Sequence, residues 1–314
     1  MTGSEETSAA PHRRKPTSKE TARAIMFMLA GFFFYSTSDM LSKSLSQSVS
    51  PLQIAWLRQL GLLSGVIVLL AWKGPYILRS RYPFLQFCRG LTVVVAATTF
   101  LFAIAYVPLA DATAVSFVAP FIVTVLAGLL LGETIGLKRW IAVILGFAGT
   151  MIIIRPGFNA FHPAIFLVIL SGAAFGIRQI ISRRVSGADP LVTTVAYTAL
   201  TAAILLSLPL PFIWTNPADL SQLLMMIGIS VIAGSGELSI MRALDLGEAV
   251  VLSPLQYTLI VWSTLWGFLI FAHLPDMWTL IGTAIIVGSG IYSLFHETRA
   301  TRKMTGARAW FRAG

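Results

Sequence analysis

Asp39 and Lys43 stand four residues apart in the stretch "AGFFFYSTSDMLSKSL", behind a run of small and apolar residues, three phenylalanines and Tyr35. A charge inside an apolar helix is costly, and such residues line substrate paths, proton relays or ion sites, or else pair with one another. Three more charges lie in comparably apolar surroundings: Arg58, Arg178 and Glu237. Opposite charges at one depth can offset each other or grip the two ends of a zwitterion. Tyr35 adds a hydroxyl beside Asp39, and "SPLQY" (Ser253 to Tyr257) sets Gln256 and Tyr257 just after Pro254, where an interrupted helix frees backbone carbonyls for a ligand. The candidate substrate-binding set is therefore Tyr35, Asp39, Arg58, Arg178, Glu237, Gln256 and Tyr257.

Other chemistries find little support. The four histidines, His12, His162, His273 and His296, lie in tails or connections, no pair has metal-ligand spacing, and no phosphate-binding GxxxxGK[ST] loop occurs. The single cysteine, Cys88, makes no intramolecular disulfide. No cofactor or metal is expected. A membrane-embedded enzyme or lipid-handling protein would have only Asp39, Glu237 and the tyrosines to work with, so the chain reads as a non-enzyme; that alternative and a non-transporting scaffold stay open.

The elements that position these residues are helices. Of 314 residues 56% are hydrophobic and only 11% charged, too few to cover a water-soluble surface. The apolar residues fall in blocks near 23–45, 51–72, 84–106, 109–131, 138–154, 163–186, 189–213, 219–245, 247–271 and 276–295. Blocks of about 20 residues, apolar on every face, span a bilayer as helices. The fold class is an all-α integral membrane protein with ten transmembrane helices. The net charge of +10 does not point to nucleic acid. Most of the 23 Lys and Arg fall in alternate connections and the two tails, whereas "SQSVS", "VPLA", "PFIWTNPAD" and "AHLPDM" hold none. This asymmetry puts both termini in the cytoplasm. Residues 1–22 read as a disordered cytoplasmic tail and 296–314 as a basic one.

The chain also repeats itself. Asp39 to Pro51 and Arg178 to Pro190 are equal intervals, "AYVPLADATAVSF" parallels "RALDLGEAVVLSP", and Trp140 parallels Trp278. Ten helices thus read as five plus five, residues 23–157 and 158–295. An odd number per half turns the second half over, giving inverted repeats with a substrate site near the midplane between them. At 1.5 Å per residue Asp39 and Arg58 lie roughly 5–7 Å to one side of the midplane, and Arg178 and Glu237 roughly as far to the other. Ion pairs Asp39–Arg58 and Arg178–Glu237 are expected, with Lys43 set to pair with Asp39 or reach the interface; Arg89, near the cytoplasmic end of its span, is left open between reaching the surface and a role inside.

The segment "DATAVSFVAPFIVTVLAGLLLGETIGLKRWIAVILGFAGTMIIIRPG" (Asp111 to Gly157) resembles an EamA domain of the drug/metabolite transporter superfamily, with Pro120, Gly132-Glu133 and Arg155-Pro156-Gly157 as the matching points. "PLQYTLIVWSTLWGFLIFAHLPDMWTLIGTAIIVGSGIY" resembles the same region of a second such domain, except that Ala272-His273 stands where Gly-Glu is usual. The resemblance implies ten helices with both termini inside and carriage of a small metabolite. The expected function is secondary-active transport of a small polar or zwitterionic metabolite, riboflavin or an amino acid or its derivative, across a bacterial inner membrane by alternating access. The partners are then that small molecule and the lipid bilayer, with a homodimer left open.

Overall fold

The computed structural model describes residues 17–132, 136–155, 162–185 and 188–293. Among them every regular element is helical. The order is α1 (Ser18–Leu45), α2 (Pro51–Lys73), a 3-10 turn (Pro75–Leu78), α3 (Pro83–Tyr106), α4 (Leu109–Ser116), α5 (Ala119–Leu131), α6 (Leu137–Ile154), α7 (Ile165–Val185), α8 (Leu191–Ser207), α9 (Leu210–Ile213), α10 (Leu220–Leu246), α11 (Ala249–Leu252), a 3-10 turn (Ser253–Tyr257), α12 (Thr258–Phe271) and α13 (Met277–Ser293). Eight helical segments are long and apolar enough to cross a membrane, taking α4 and α5 together. Two apolar helices, Val192–Ser207 and Met277–Ser293, are shorter. Trp72, Leu129 and Phe212 are 84%, 75% and 89% exposed, an arrangement suited to lipid and not to water.

Three boundaries differ from the sequence reading. Helix α1 starts at Ser18, inside the segment expected to be a disordered tail. Thr17 and Glu20 form a capping box there: Thr17 Oγ1 accepts from the Glu20 N–H, and the Thr17 N–H donates to the Glu20 carboxylate at 2.6 Å. The remainder of that tail, and the basic C-terminal one, lie outside the described residues, as do Glu133, Pro156 and Gly157. The block 109–131 is two helices, because Pro120 has no N–H for the Ser116 carbonyl and its ring crowds it; the turn tightens through Phe117 N–H to Ala114 O and Val118 N–H to Val115 O. Pro254 breaks the block 247–271 in the same way, leaving the 3-10 turn that carries Gln256 and Tyr257.

Packing interleaves the halves of the chain. Helix α1 packs chiefly on α10 and α12, α3 on α7 and α8, α2 on α10 and α8, and α5 on α7. The α2–α10 crossing is close because Gly61 meets Gly234: a Cβ on Gly61 would lie 2.1 Å from the Ser230 carbonyl oxygen. The main core cluster joins α1, α2 and α3 to Phe121, Ile153, Val168, Leu206 and Ile286.

Polar clamps fasten both ends of the bundle. At one end the Asp189 carboxylate accepts from Ser80 Oγ, from the Arg81 N–H at 2.8 Å and from Gln86 Nε2 at 2.8 Å. Desolvation, the largest single influence, pushes the Asp189 carboxyl up, but the bonds from Ser80, Gln86 and the Arg81 backbone together outweigh it and hold the group below the usual aspartate range. At the opposite end Gln53 exchanges two hydrogen bonds with the Thr215 backbone, at 2.9 and 2.8 Å, and Gln222 Nε2 donates to Ser48 Oγ at 2.6 Å. Each clamp ties a loop of one half of the chain to the first turn of a helix in the other.

Helix α12 ends at Ala272 with φ of 53°, while the matching position in the first half is Gly132 with φ of 65°. Bonds from Ala272 N–H to Phe268 O and His273 N–H to Gly267 O close the helix on a left-handed residue, a position that favours glycine. The departure Ala272-His273 thus keeps the turn and bears strain. Ala272→Gly is expected to stabilise the protein by about 0.5–1 kcal/mol, seen as a raised melting temperature in detergent; a lowered one would contradict the strained cap.

Candidate functional site

Tyr35 and Asp39 are one turn apart on α1 and face different neighbours. Tyr35 Oη donates a short hydrogen bond to the Glu237 carboxylate on α10. Asp39 accepts a short, charge-assisted bond from Arg58 Nη1 on α2. The Asp39–Arg58 pair forms as expected. The two side chains remain 14% and 15% exposed near the middle of their helices.

Glu237 departs from its expected pairing. Its partner is Tyr35, and no ion pair joins it to Arg178. Arg178, on α7, lies with its guanidinium carbon 4.5 Å from the centre of the Phe175 ring, a cation–π contact, and within electrostatic reach of Glu237 and Tyr35. Among the described residues its guanidinium has no hydrogen bond, and none of its nitrogens is both buried and unpartnered. The physical reason is reach: α1 packs on α10 and delivers the Tyr35 hydroxyl directly to Glu237, whereas α7 packs mainly on α3 and α5.

Lys43 does not pair with Asp39, which Arg58 already holds. Its Nζ donates to the carbonyls of Ile104 and Val107 at 2.6 and 2.7 Å, at the C-terminal end of α3, where a helix offers its negative pole. It is 9% exposed and lies 5.5 Å above the Phe271 ring. Arg89 does not reach toward the surface. Its Nε donates to Ser182 Oγ at 2.9 Å and its Nη1 to the Thr194 carbonyl and Thr198 Oγ1, stapling α3 to α7 and α8. It lies in the electrostatic field of Arg178 and Glu237.

Gln256 and Tyr257 sit at the second helix break. The Tyr257 ring meets that of Phe117, from the first break, at 5.0 Å between centroids, and its hydroxyl fills the place of a side chain at Gly290: a Cβ there would be 1.8 Å away. The two proline-broken helices thus touch at their breaks. Tyr35, Asp39, Arg58, Arg178 and Glu237 lie in one electrostatic neighbourhood, linked by the Tyr35–Glu237 and Asp39–Arg58 contacts, and Gln256 and Tyr257 adjoin α1 and α12. The sequence reading missed the Tyr35–Glu237 bond and undervalued Arg89. The glutamine clamps also went unread, although Gln86 and Gln222 both stand in the first turn of a helix at nearly the repeat spacing. A surface groove lined by Leu78, Phe87, Tyr197, Leu200, Thr201 and Ile204 is apolar and holds none of these charges.

The model of the EamA-like transporter family matches residues 22–155 and again 162–295. The chain belongs to the EamA-like transporter family. It is a small-metabolite membrane transporter by that membership. Its similar relatives bear different cargo names. An S-adenosylmethionine uptake transporter of Rickettsia felis is 27% identical over 84% of this chain and 90% of its own. A pseudopaline exporter of Pseudomonas aeruginosa is 27% identical over 84% of this chain and 92% of its own. A riboflavin transporter of Vibrio cholerae is 30% identical over 68% of this chain and 72% of its own. A solved crystal structure shares the fold at a TM-score of 0.59 and 20% identity, covering 89% of this chain and all but 1% of that one.

Proposed function

We propose that this protein is a secondary-active carrier that moves a small amphoteric metabolite, an amino acid derivative, across a bacterial inner membrane by alternating access. Its ten spans form two inverted five-helix repeats with both termini cytoplasmic. The observation that carries the substrate reading is Arg178: an arginine set among the helices beside Glu237 and Tyr35, with no hydrogen bond among the described residues, is a ready carboxylate receptor. Glu237 and Asp39 supply negative charge for an ammonium within the same neighbourhood. Riboflavin carries no carboxylate and would leave Arg178 unpaired, so the amino acid derivatives named for other family members are the better class. Support for inverted repeats comes from reciprocal packing, with α1 on α10 matched by α7 on α3, and from the two proline breaks that meet at Phe117 and Tyr257.

Flux into proteoliposomes tests this directly. Labelled amino acid derivatives should move and riboflavin should not; flux of riboflavin alone would overturn the assignment. Orientation is read in a Cys88→Ser background. Cysteines at Gln47 and Asn216 should react with an impermeant reagent from outside, and one at Arg79 only from inside.

A further inference from the structure

Five ionisable side chains of α1, α2, α3, α7 and α10 lie in one electrostatic neighbourhood, with Ser182 bridging Arg89 and the Arg178 backbone. Two are carboxylates, Asp39 and Glu237, and three are guanidiniums, Arg58, Arg89 and Arg178. One carboxylate is committed to one arginine in the Asp39–Arg58 pair. Among the described residues Glu237 is then the single negative group within electrostatic reach of both Arg178 and Arg89, and Tyr35 adds a neutral hydroxyl to it. Arg89 is anchored by Ser182, Thr194 and Thr198, all neutral, so these bonds hold its charge in place without cancelling it. Lys43 sits apart, at the end of α3, with its charge on backbone carbonyls and Asp111 within its field.

From this arrangement we infer that the substrate enters the site with net negative charge, as an amino acid derivative bearing one more carboxylate than cationic centres. The inference rests on the reading of this neighbourhood as the substrate site. The five groups sum to one surplus positive charge, and the sign does not depend on protonation. Arginine does not release its proton in a protein, and a carboxylate that takes one up makes the sum more positive. In surroundings poor in water a surplus charge is expensive, and the ligand is the mobile group able to cancel it. A zwitterion would fill Arg178 and Glu237 and leave the surplus standing. A second carboxylate on the ligand would meet the field of Arg89 and Arg178 together. A cation such as S-adenosylmethionine, which carries two positive centres and one carboxylate, would add to the surplus. One unit of charge roughly 10 Å away at an effective dielectric of about 20 changes affinity by about tenfold.

The test uses the purified full chain and two probe series of graded net charge. The first is glutamate, glutamine and ornithine, which share a chain length and carry −1, 0 and +1. The second is an N-carboxyalkyl amino acid with two carboxylates, its monoamide, and S-adenosylmethionine. Thermal stabilisation in detergent and counterflow in proteoliposomes are read for each. The expected order is −1 above 0 above +1 within a series, each step about tenfold in apparent affinity. Arg89→Gln brings the sum to zero, and its preference should move to the neutral member; a purely structural role for Arg89 would lower all members alike and leave the order unchanged. If Arg89→Gln does not fold, the wild-type order decides alone. Binding of both series with the +1 member equal or better would overturn the charge inference while leaving the amphoteric site standing. Binding of neither series would overturn the site reading, and the inference with it.

Discussion

Arg178→Gln is expected to reduce transport about a hundredfold while folded yield and melting temperature stay at or above those of the unaltered protein. The two halves of this expectation come from one fact: the guanidinium has no hydrogen bond among the described residues and only the Phe175 ring beneath it. Removing it strands no partner, and it removes a charge that is costly to keep among helices. The ligand, by contrast, loses charge-assisted hydrogen bonds worth about 1.5–3 kcal/mol, which corresponds to roughly 10- to 150-fold in affinity. Flux in proteoliposomes and unfolding followed by intrinsic fluorescence give the two readings. A protein that melts earlier yet still transports would show that Arg178 holds the bundle together and does not hold cargo.

Arg58→Ala is expected to do the reverse, with folding suffering first. It leaves the Asp39 carboxylate without the cation that holds it, at a place where only 14% of that side chain is exposed. Breaking one side of a fully buried pair costs about 3–5 kcal/mol, and because this one keeps some exposure the loss should fall toward the lower end. The double variant Arg58→Gln with Asp39→Asn removes both charges and should recover most of the folded yield. The surplus of the double over the sum of the singles measures the coupling. A loss in the double equal to the sum of the losses in Arg58→Gln and Asp39→Asn alone would mean that the pair contributes nothing to folding.

The sequence was legible where a physical rule is local or periodic. Block length and hydropathy located the helices, Pro120 and Pro254 marked the places where the helices give way, and depth along α1 and α2 foresaw the Asp39–Arg58 pair. It was illegible where the outcome depends on which neighbour arrives first. Depth alone matches Glu237 to Arg178, but depth says nothing about rotation around the helix axis, and packing of α1 on α10 presents Tyr35 to Glu237 instead. Lys43 followed the same logic. Its spacing from Asp39 suits a helix pair, but the last carbonyls of α3 lie nearer its ammonium in three dimensions. Ala272 shows a third kind of limit. Alanine carries no turn signal, and the left-handed end of α12 is imposed by the His273 and Ala272 bonds back to the helix.

The clamps at the two ends restrict how such a molecule can open. Asp189 holds the connection before α3 and the first turn of α3, while Gln53 and Gln222 fasten α2 and α10 to the loops 211–219 and 46–50. Every one of these ties crosses from one half of the chain to the other. Two rigid halves swinging past each other would have to break clamps at both ends in the same step. Individual helices around a fixed frame of α2, α3, α8 and α10 need break none, and α4 with α5 and α11 with α12 already have joints at their prolines. The unit of motion is then the broken helix and not the repeat, so the barrier between access states would be set by bending at two joints, with the frame serving as the bearing on which they turn.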